Sequence, residues 1–175
     1  MDSLFPGLSA ALDLHPLLVH FPVAFWLAAA VLLPLGWLRD TPRWADAGRL
    51  LLWLGTGAAV VAAVTGYLAS ERMGHDAPGH DLVHVHRNFM LVATGVAVLA
   101  SGVAWKVREL RGRGAALVAG LALVVGLLTG LGADRGAHLV YAYGMGVADA
   151  PPAAAEGDDH GGHAHGRHDH GGHDH

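Results

Sequence analysis

Charged side chains avoid four stretches of the chain, Leu17 to Leu38, Leu50 to Leu68, Phe89 to Trp105 and Ala115 to Ala133, and gather in the segments between them. The stretches are 22, 19, 17 and 19 residues long, each close to the roughly 20 residues that carry an α-helix across a hydrocarbon core. A bilayer interior offers backbone N–H and C=O groups no water, so a spanning segment satisfies them internally as a helix. The pattern predicts an all-α integral membrane protein: a four-helix up-down bundle over residues 1–148, with helices at about 17–38, 50–68, 89–105 and 115–133, and a separate tail over 149–175.

Composition supports the membrane reading and removes several chemistries. Of 175 residues, 53% are apolar and 15% charged, too greasy for an ordinary soluble domain. There is no cysteine, which excludes disulfides, thiolate zinc sites, iron–sulfur clusters and covalent c-type haem. A bound metal or haem is left to histidine or carboxylate. The formal charge of -4 arises in the tail, where Asp149 to His175 carries six acids and one arginine; the first 148 residues balance ten basic against nine acidic groups. No nucleic-acid footprint is present.

The first stretch is read as a retained helix rather than a cleaved signal. Asp2 and Asp13 precede it without a Lys or Arg, and its apolar run exceeds a typical h-region. The loop after helix one holds Arg39, Arg43 and Arg49, and the loop before helix four holds Lys106, Arg108, Arg111 and Arg113. Basic residues mark the cytoplasmic side, so both termini are expected on the periplasmic or outer side of a bacterial plasma membrane. In that topology every histidine falls on the outer side: His15 and His20 begin helix one, His75 and His80 lie in the outer loop, His84 and His86 begin helix three, and His138 follows helix four.

Sliding the chain by 64 residues superimposes Leu18-Val19-His20 on Leu82-Val83-His84, Phe25 on Phe89, Arg49 on Arg113 and Thr65-Gly66 on Thr129-Gly130, with 15 identities in 52 positions. The match suggests two parallel-repeat helical hairpins, with helices one and three diagonal and His20 and His84 at equal depth, both able to point to the axis. With a one-residue slip His15 pairs with His80 and His75 with His138, leaving His86 without a mate. Pro16 suits a first helical turn. Pro22 removes the helical partner of the Leu18 carbonyl and is expected to kink the helix just beyond His20. On helix three His80, His84 and Asn88 share one face, from which His86 points away. Small residues on helix two (Gly55, Ala59, Ala62, Gly66) and helix four (Gly120, Gly126, Gly130) suit close packing, Gly126/Gly130 as a small-x-x-x-small pair. The paired tyrosines Tyr141 and Tyr143 suit an interfacial segment after helix four.

The HP-x-x-VHFP start, the Thr65-Gly66 close of helix two, the histidine and Asn88 opening helix three, and the closing LVY-x-x-G-x-GV resemble a bacterial family of predicted four-helix membrane proteins, domain of unknown function 2231. The resemblance covers roughly residues 14 to 147 and implies a four-helix fold and a membrane location, without a reaction. In the family the closing motif follows a Gly-Gly pair with an acidic residue, where this chain has Gly136-Ala137-His138.

The tail carries His160, His163, His165, His168, His170, His173 and His175 in alternating steps of three and two, among glycines and acids. Such a composition suits a disordered segment that captures Zn, Ni or Cu(II). Three functions compete. In the first, His20 and His84 are axial ligands of a b-type haem in the outer half of the bundle, giving an electron carrier or redox sensor with a membrane or periplasmic partner. In the second, His15, His75, His80 and His138 bind divalent metal delivered by the tail. The third is a non-catalytic membrane subunit, self-associating or bound to a partner, whose histidines hydrogen-bond across helices. The four charge-free stretches offer no midplane site for a transporter, and no serine or threonine spacing suits hydrolysis. Redox carriage is the most enzymatic role the sequence supports.

Overall fold

The computed structural model describes residues 15–71, 79–107 and 112–145. They form four long helices: α1 (His15–Leu38), α2 (Pro42–Glu71), α3 (His80–Lys106) and α4 (Gly112–Tyr143), each long and apolar enough to cross a membrane. Among the described residues there is no strand. His75 and the tail histidines lie outside the described residues, as do the last two residues of the closing motif.

The helices run beyond the charge-free stretches. α2 begins eight residues before Leu50, α3 begins nine before Phe89, and α4 runs ten past Ala133, taking in Arg49, Glu71, Asp81, Arg87, Asp134 and Arg135. Absence of charge marks the part of a helix that meets hydrocarbon; backbone hydrogen bonds continue for as long as the chain gains from them. His138 and both tyrosines therefore belong to α4 itself.

α1 packs on α2 and α4, and α3 packs on α2 and α4, so α1 and α3 face each other diagonally. The buried positions step alternately by three and four: Pro22, Trp26, Ala29, Leu33 and Gly36 on α1; Ala45, Gly48, Leu52, Gly55, Ala59 and Ala62 on α2. α3 contributes Ala93, Ala97, Ala100 and Ala104, and α4 contributes Ala115, Val118, Ala122, Val125, Thr129 and Gly132. This is the spacing of a seam between nearly antiparallel helices. Apart from Trp26, Leu33, Leu52, Val118 and Val125 the seam is made of small residues, while many leucines and valines, such as Leu54, Val92, Leu99, Leu123 and Leu127, point outward. In water that arrangement would expose a large sticky surface. In lipid the outward chains meet their own kind, and the small ones let backbones approach for dispersion contact.

Polar bonds stitch three helices together. Trp26 Nε1 donates to Thr56 Oγ1 at 3.4 Å, Thr56 Oγ1 lies 3.0 Å from Ser101 Oγ, and Trp53 Nε1 donates to the Ser101 carbonyl at 3.3 Å. Trp37, Trp44, Trp53 and Trp105 cluster at the end where α1 joins α2, with Arg39 and Arg49 guanidinium groups over Trp44 and Trp53 at 5.7 and 5.4 Å. Such amphipathic belts sit at the boundary between hydrocarbon and water. The histidines occupy the opposite end.

Two sequence expectations are corrected. The effect of Pro22 falls before His20: a single turn residue, Val19, separates His15–Leu18 from His20–Leu38, and Pro22 itself is buried on the seam. Of the Gly126/Gly130 pair, Gly126 lies against Ala30 of α1, whereas Gly130 faces open space. The small residues of α2 and α4 thus receive side chains from α1 and α3; α2 and α4 are diagonal to each other and do not pack together.

The buried positions of the two hairpins can also be set against each other at a spacing other than 64 residues. Burial pairs Pro22 with Ala93, Trp26 with Ala97, Ala29 with Ala100 and Leu33 with Ala104, and on the second helices Ala45 with Ala115, Leu52 with Ala122, Ala59 with Thr129 and Ala62 with Gly132. On the first helices this spacing lies one heptad beyond the 64-residue match, which keeps burial in phase as well, Ala29 with Ala93 and Leu33 with Ala97. The Thr65-Gly66 and Thr129-Gly130 match is out of phase, since Thr129 is fully buried and Thr65 is not.

The closing motif is a helix stop. Gly144 takes a left-handed φ of 63°, and the Met145 N–H donates back to the Leu139 carbonyl at 3.1 Å, which ends α4. Tyr143 and Leu139 then lie over Gly79, the residue that opens α3 with φ 81°; a Cβ there would come within 3.1 Å of the tyrosine ring.

Candidate functional site

Followed toward the histidine end, each seam finishes on a matched residue. α1 ends its three-four alternation on His15 and α3 on His86, while α2 ends on Gly66 and α4 continues through Gly136. His15 Nδ1 lies 2.9 Å from the Ala62 carbonyl and 3.4 Å from Thr65 Oγ1. Its ring rests over Gly66, where a Cβ would fall 2.6 Å from the imidazole. In the other hairpin His86 Nδ1 lies 2.8 Å from the Gly132 carbonyl, and its ring rests over Gly136, where a Cβ would fall 3.1 Å away. In both hairpins the glycine follows the bonded carbonyl by one helical turn, and the imidazole precedes that carbonyl by 47 residues in one and 46 in the other.

A carbonyl oxygen only accepts, so both Nδ1 atoms carry the proton. In the neutral rings Nε2 is then the unprotonated nitrogen. This is the tautomer in which a histidine ligates metal through Nε2 while its other nitrogen is held by a backbone acceptor. Glycine lets each ring lie close on the neighbouring helix, since a Cβ would press on it, harder at Gly66 than at Gly136.

His80, His84 and Arg87 form a second group on the first turns of α3. The Nε2 atoms of His80 and His84 are 2.9 Å apart, their rings meet edge to face at 77°, and Arg87 Nη2 donates to His84 Nδ1 at 2.7 Å. His20 is exposed, with Nδ1 3.3 Å from the Leu17 carbonyl. None of the described contacts joins His20 to His84, or His15 to His80. His138 is exposed on α4 with its ring 5.8 Å from that of Tyr143, and Asn88 is exposed. Among the described residues no three His, Asp or Glu side chains gather as a metal-binding group.

His86, which the 64-residue match leaves unpaired, is thus the counterpart of His15. The identity of the Leu-Val-His triplets draws the comparison to His20 and His84, which lie off the seam. The signal that finds the matched pair is phase: on each first helix, the buried alternation extended outward lands on a histidine.

No curated protein and no solved structure matches the chain. One family model does, over residues 11–149, under the description Predicted membrane protein (DUF2231).

Proposed function

The chain belongs to the DUF2231 family of predicted membrane proteins, and on that footing we propose that it is an integral membrane b-type haem protein that carries single electrons or senses redox state. His15 and His86 are the axial ligands of this reading. The observation that carries it is a matched pair of imidazoles on diagonal helices, each held through Nδ1 by a backbone carbonyl, with no third ligand gathered near either among the described residues. A structural zinc site asks the protein for about four donors and a catalytic one for about three. Haem brings four nitrogens of its own and asks for two axial ligands. The ligand pair first read from the sequence, His20 and His84, is less well prepared: Arg87 donates to His84 Nδ1, which leaves the proton of the neutral ring on Nε2.

The test is a reduced-minus-oxidised absorption spectrum of the detergent-purified full chain made in a haem-sufficient host. Sharp α and β bands of a six-coordinate haem are the expected result. A flat difference spectrum with no iron by elemental analysis would leave the two imidazoles as hydrogen-bonded helix locks in a membrane subunit.

The reading also places the histidine end toward the periplasm of a bacterial inner membrane, on the support of Arg39, Arg43 and Arg49 and of Arg113 at the other end. A periplasm-active reporter fused after His175 is expected to be active, and one inserted near Arg111 inactive. The reverse pattern would put the haem on the cytoplasmic side.

A further inference from the structure

The pair His80 and His84 is joined by a hydrogen bond between Nε2 atoms whose length also matches the bite of a chelate. The two residues are one helical turn apart on α3, and their Nε2 atoms converge to 2.9 Å. An imidazole nitrogen sits about 2.0 Å from a first-row divalent ion, so two such nitrogens at right angles around one ion lie about 2.8 Å apart. We propose that His80 and His84 form a two-imidazole chelate for Cu(II), and that Arg87 sets its affinity by holding His84 in the wrong tautomer.

The choice of ion follows from the donor set. Two imidazoles in cis, with water completing a tetragonal plane, suit Cu(II), the most avidly bound divalent ion of its row. The pair lies at the start of α3, where His80 and His84 are half-buried and Asp81 beside them is exposed, so water has access that the bundle interior lacks.

The role of Arg87 follows from donor and acceptor logic. A guanidinium only donates, so the 2.7 Å contact makes His84 Nδ1 an acceptor. The proton of the neutral ring then sits on Nε2 and is donated to His80 Nε2. His80 is therefore already in the ligating form, and His84 is not. Binding requires the His84 proton to move to Nδ1, which sets two donors against each other until Arg87 swings away. Gln at this position can turn its carbonyl oxygen toward Nδ1–H and support the ligating tautomer, as outer-sphere acceptors do for metal-bound histidine. Arg87 is thus a positioning residue, and its removal strengthens binding.

The site is independent of the haem reading, because it uses neither His15 nor His86. The experiment is a Cu(II) titration of the full chain in detergent, followed by calorimetry and by electron paramagnetic resonance, with the seven tail histidines replaced by Asn to silence the tail. One Cu(II) per chain with nitrogen hyperfine structure is expected. His84→Asn and His80→Asn each weaken it at least about tenfold, in the range seen for lost metal partners. Arg87→Gln tightens it about tenfold, and His86→Asn leaves it unchanged. Circular dichroism checks that each variant keeps its helices, and the Asn and Gln replacements keep a polar side chain at each position. Binding that survives both His→Asn changes overturns the site. An Arg87→Gln affinity equal to or below that of the parent overturns the tautomer argument.

Discussion

Replacing His15 or His86 with Ala will abolish the six-coordinate haem spectrum, while His20→Ala and His84→Asn will leave it intact. The distinction rests on which nitrogen is unprotonated in the neutral ring. His15 and His86 each give Nδ1–H to a carbonyl of the neighbouring helix, so Nε2 is preset for iron without a proton having to move. His84 is held by Arg87 in the opposite tautomer, and His20 points from an exposed position. The loss in the first pair is all-or-none in the visible spectrum, since a bis-imidazole haem with one ligand missing changes spin state or dissociates. The fold will persist: one interhelical hydrogen bond in a membrane is worth about 0.6 kcal/mol and at most about 1.7. Added imidazole should restore the bands in His15→Ala by occupying the space above Gly66. If His20→Ala and His84→Asn remove the bands and the seam variants keep them, the ligand assignment passes to the first-read pair.

The four helices were legible because the bilayer imposes a simple rule. Each spanning segment excludes charge over about 20 residues, and the resulting stretches fall inside the helices while missing their ends. Arg49 and Asp46, salt-bridged at 2.9 Å, or Arg135, its guanidinium over Phe89 at 4.8 Å, lie on helices all the same. The membrane family was legible too, since its opening and closing motifs are local in sequence. The closing motif is readable as chemistry once the helix stop at Gly144 and the cover of Gly79 by Tyr143 are seen.

The histidine pairing was less legible, for a physical reason. In a chain so rich in Ala, Leu, Val and Gly, sequence identity says little about which face of a helix a residue occupies. Lipid-facing and seam-facing positions draw on the same apolar alphabet, so the usual polar face that fixes helical phase is absent. Trp26 corresponds to Ala97 and Leu52 to Ala122, pairs that no identity score rewards. Thr129 and Gly130, which do score against Thr65 and Gly66, sit in the wrong phase. Size is the better guide, because the seam selects small residues and the lipid face tolerates large ones.

Size also yields the second large effect, on stability. Gly36→Ala is expected to destabilise the bundle, because its new Cβ would fall 2.6 Å from the Ala45 backbone nitrogen and 2.9 Å from the Ala45 Cα. Neither atom can rotate away, so α1 and α2 must separate. Gly126→Ala meets the Ala30 methyl at 2.7 Å and pushes α1 from α4 in the same way. Overpacking of this kind costs about 1–3 kcal/mol, more than the roughly 1 kcal/mol that Ala gains over Gly in a helix. At Gly95 and Gly130 the new methyl meets nothing within 4 Å, so only the helix gain remains and those variants should be neutral or more stable. Reversible unfolding in mixed micelles of increasing SDS fraction measures the difference, expected at about 1–3 kcal/mol between the two classes because the helix gain is common to both. Equal stability of Gly126→Ala and Gly130→Ala would mean that α1 and α4 do not meet at this glycine, and the seam on which His15 and His86 lie would have to be redrawn.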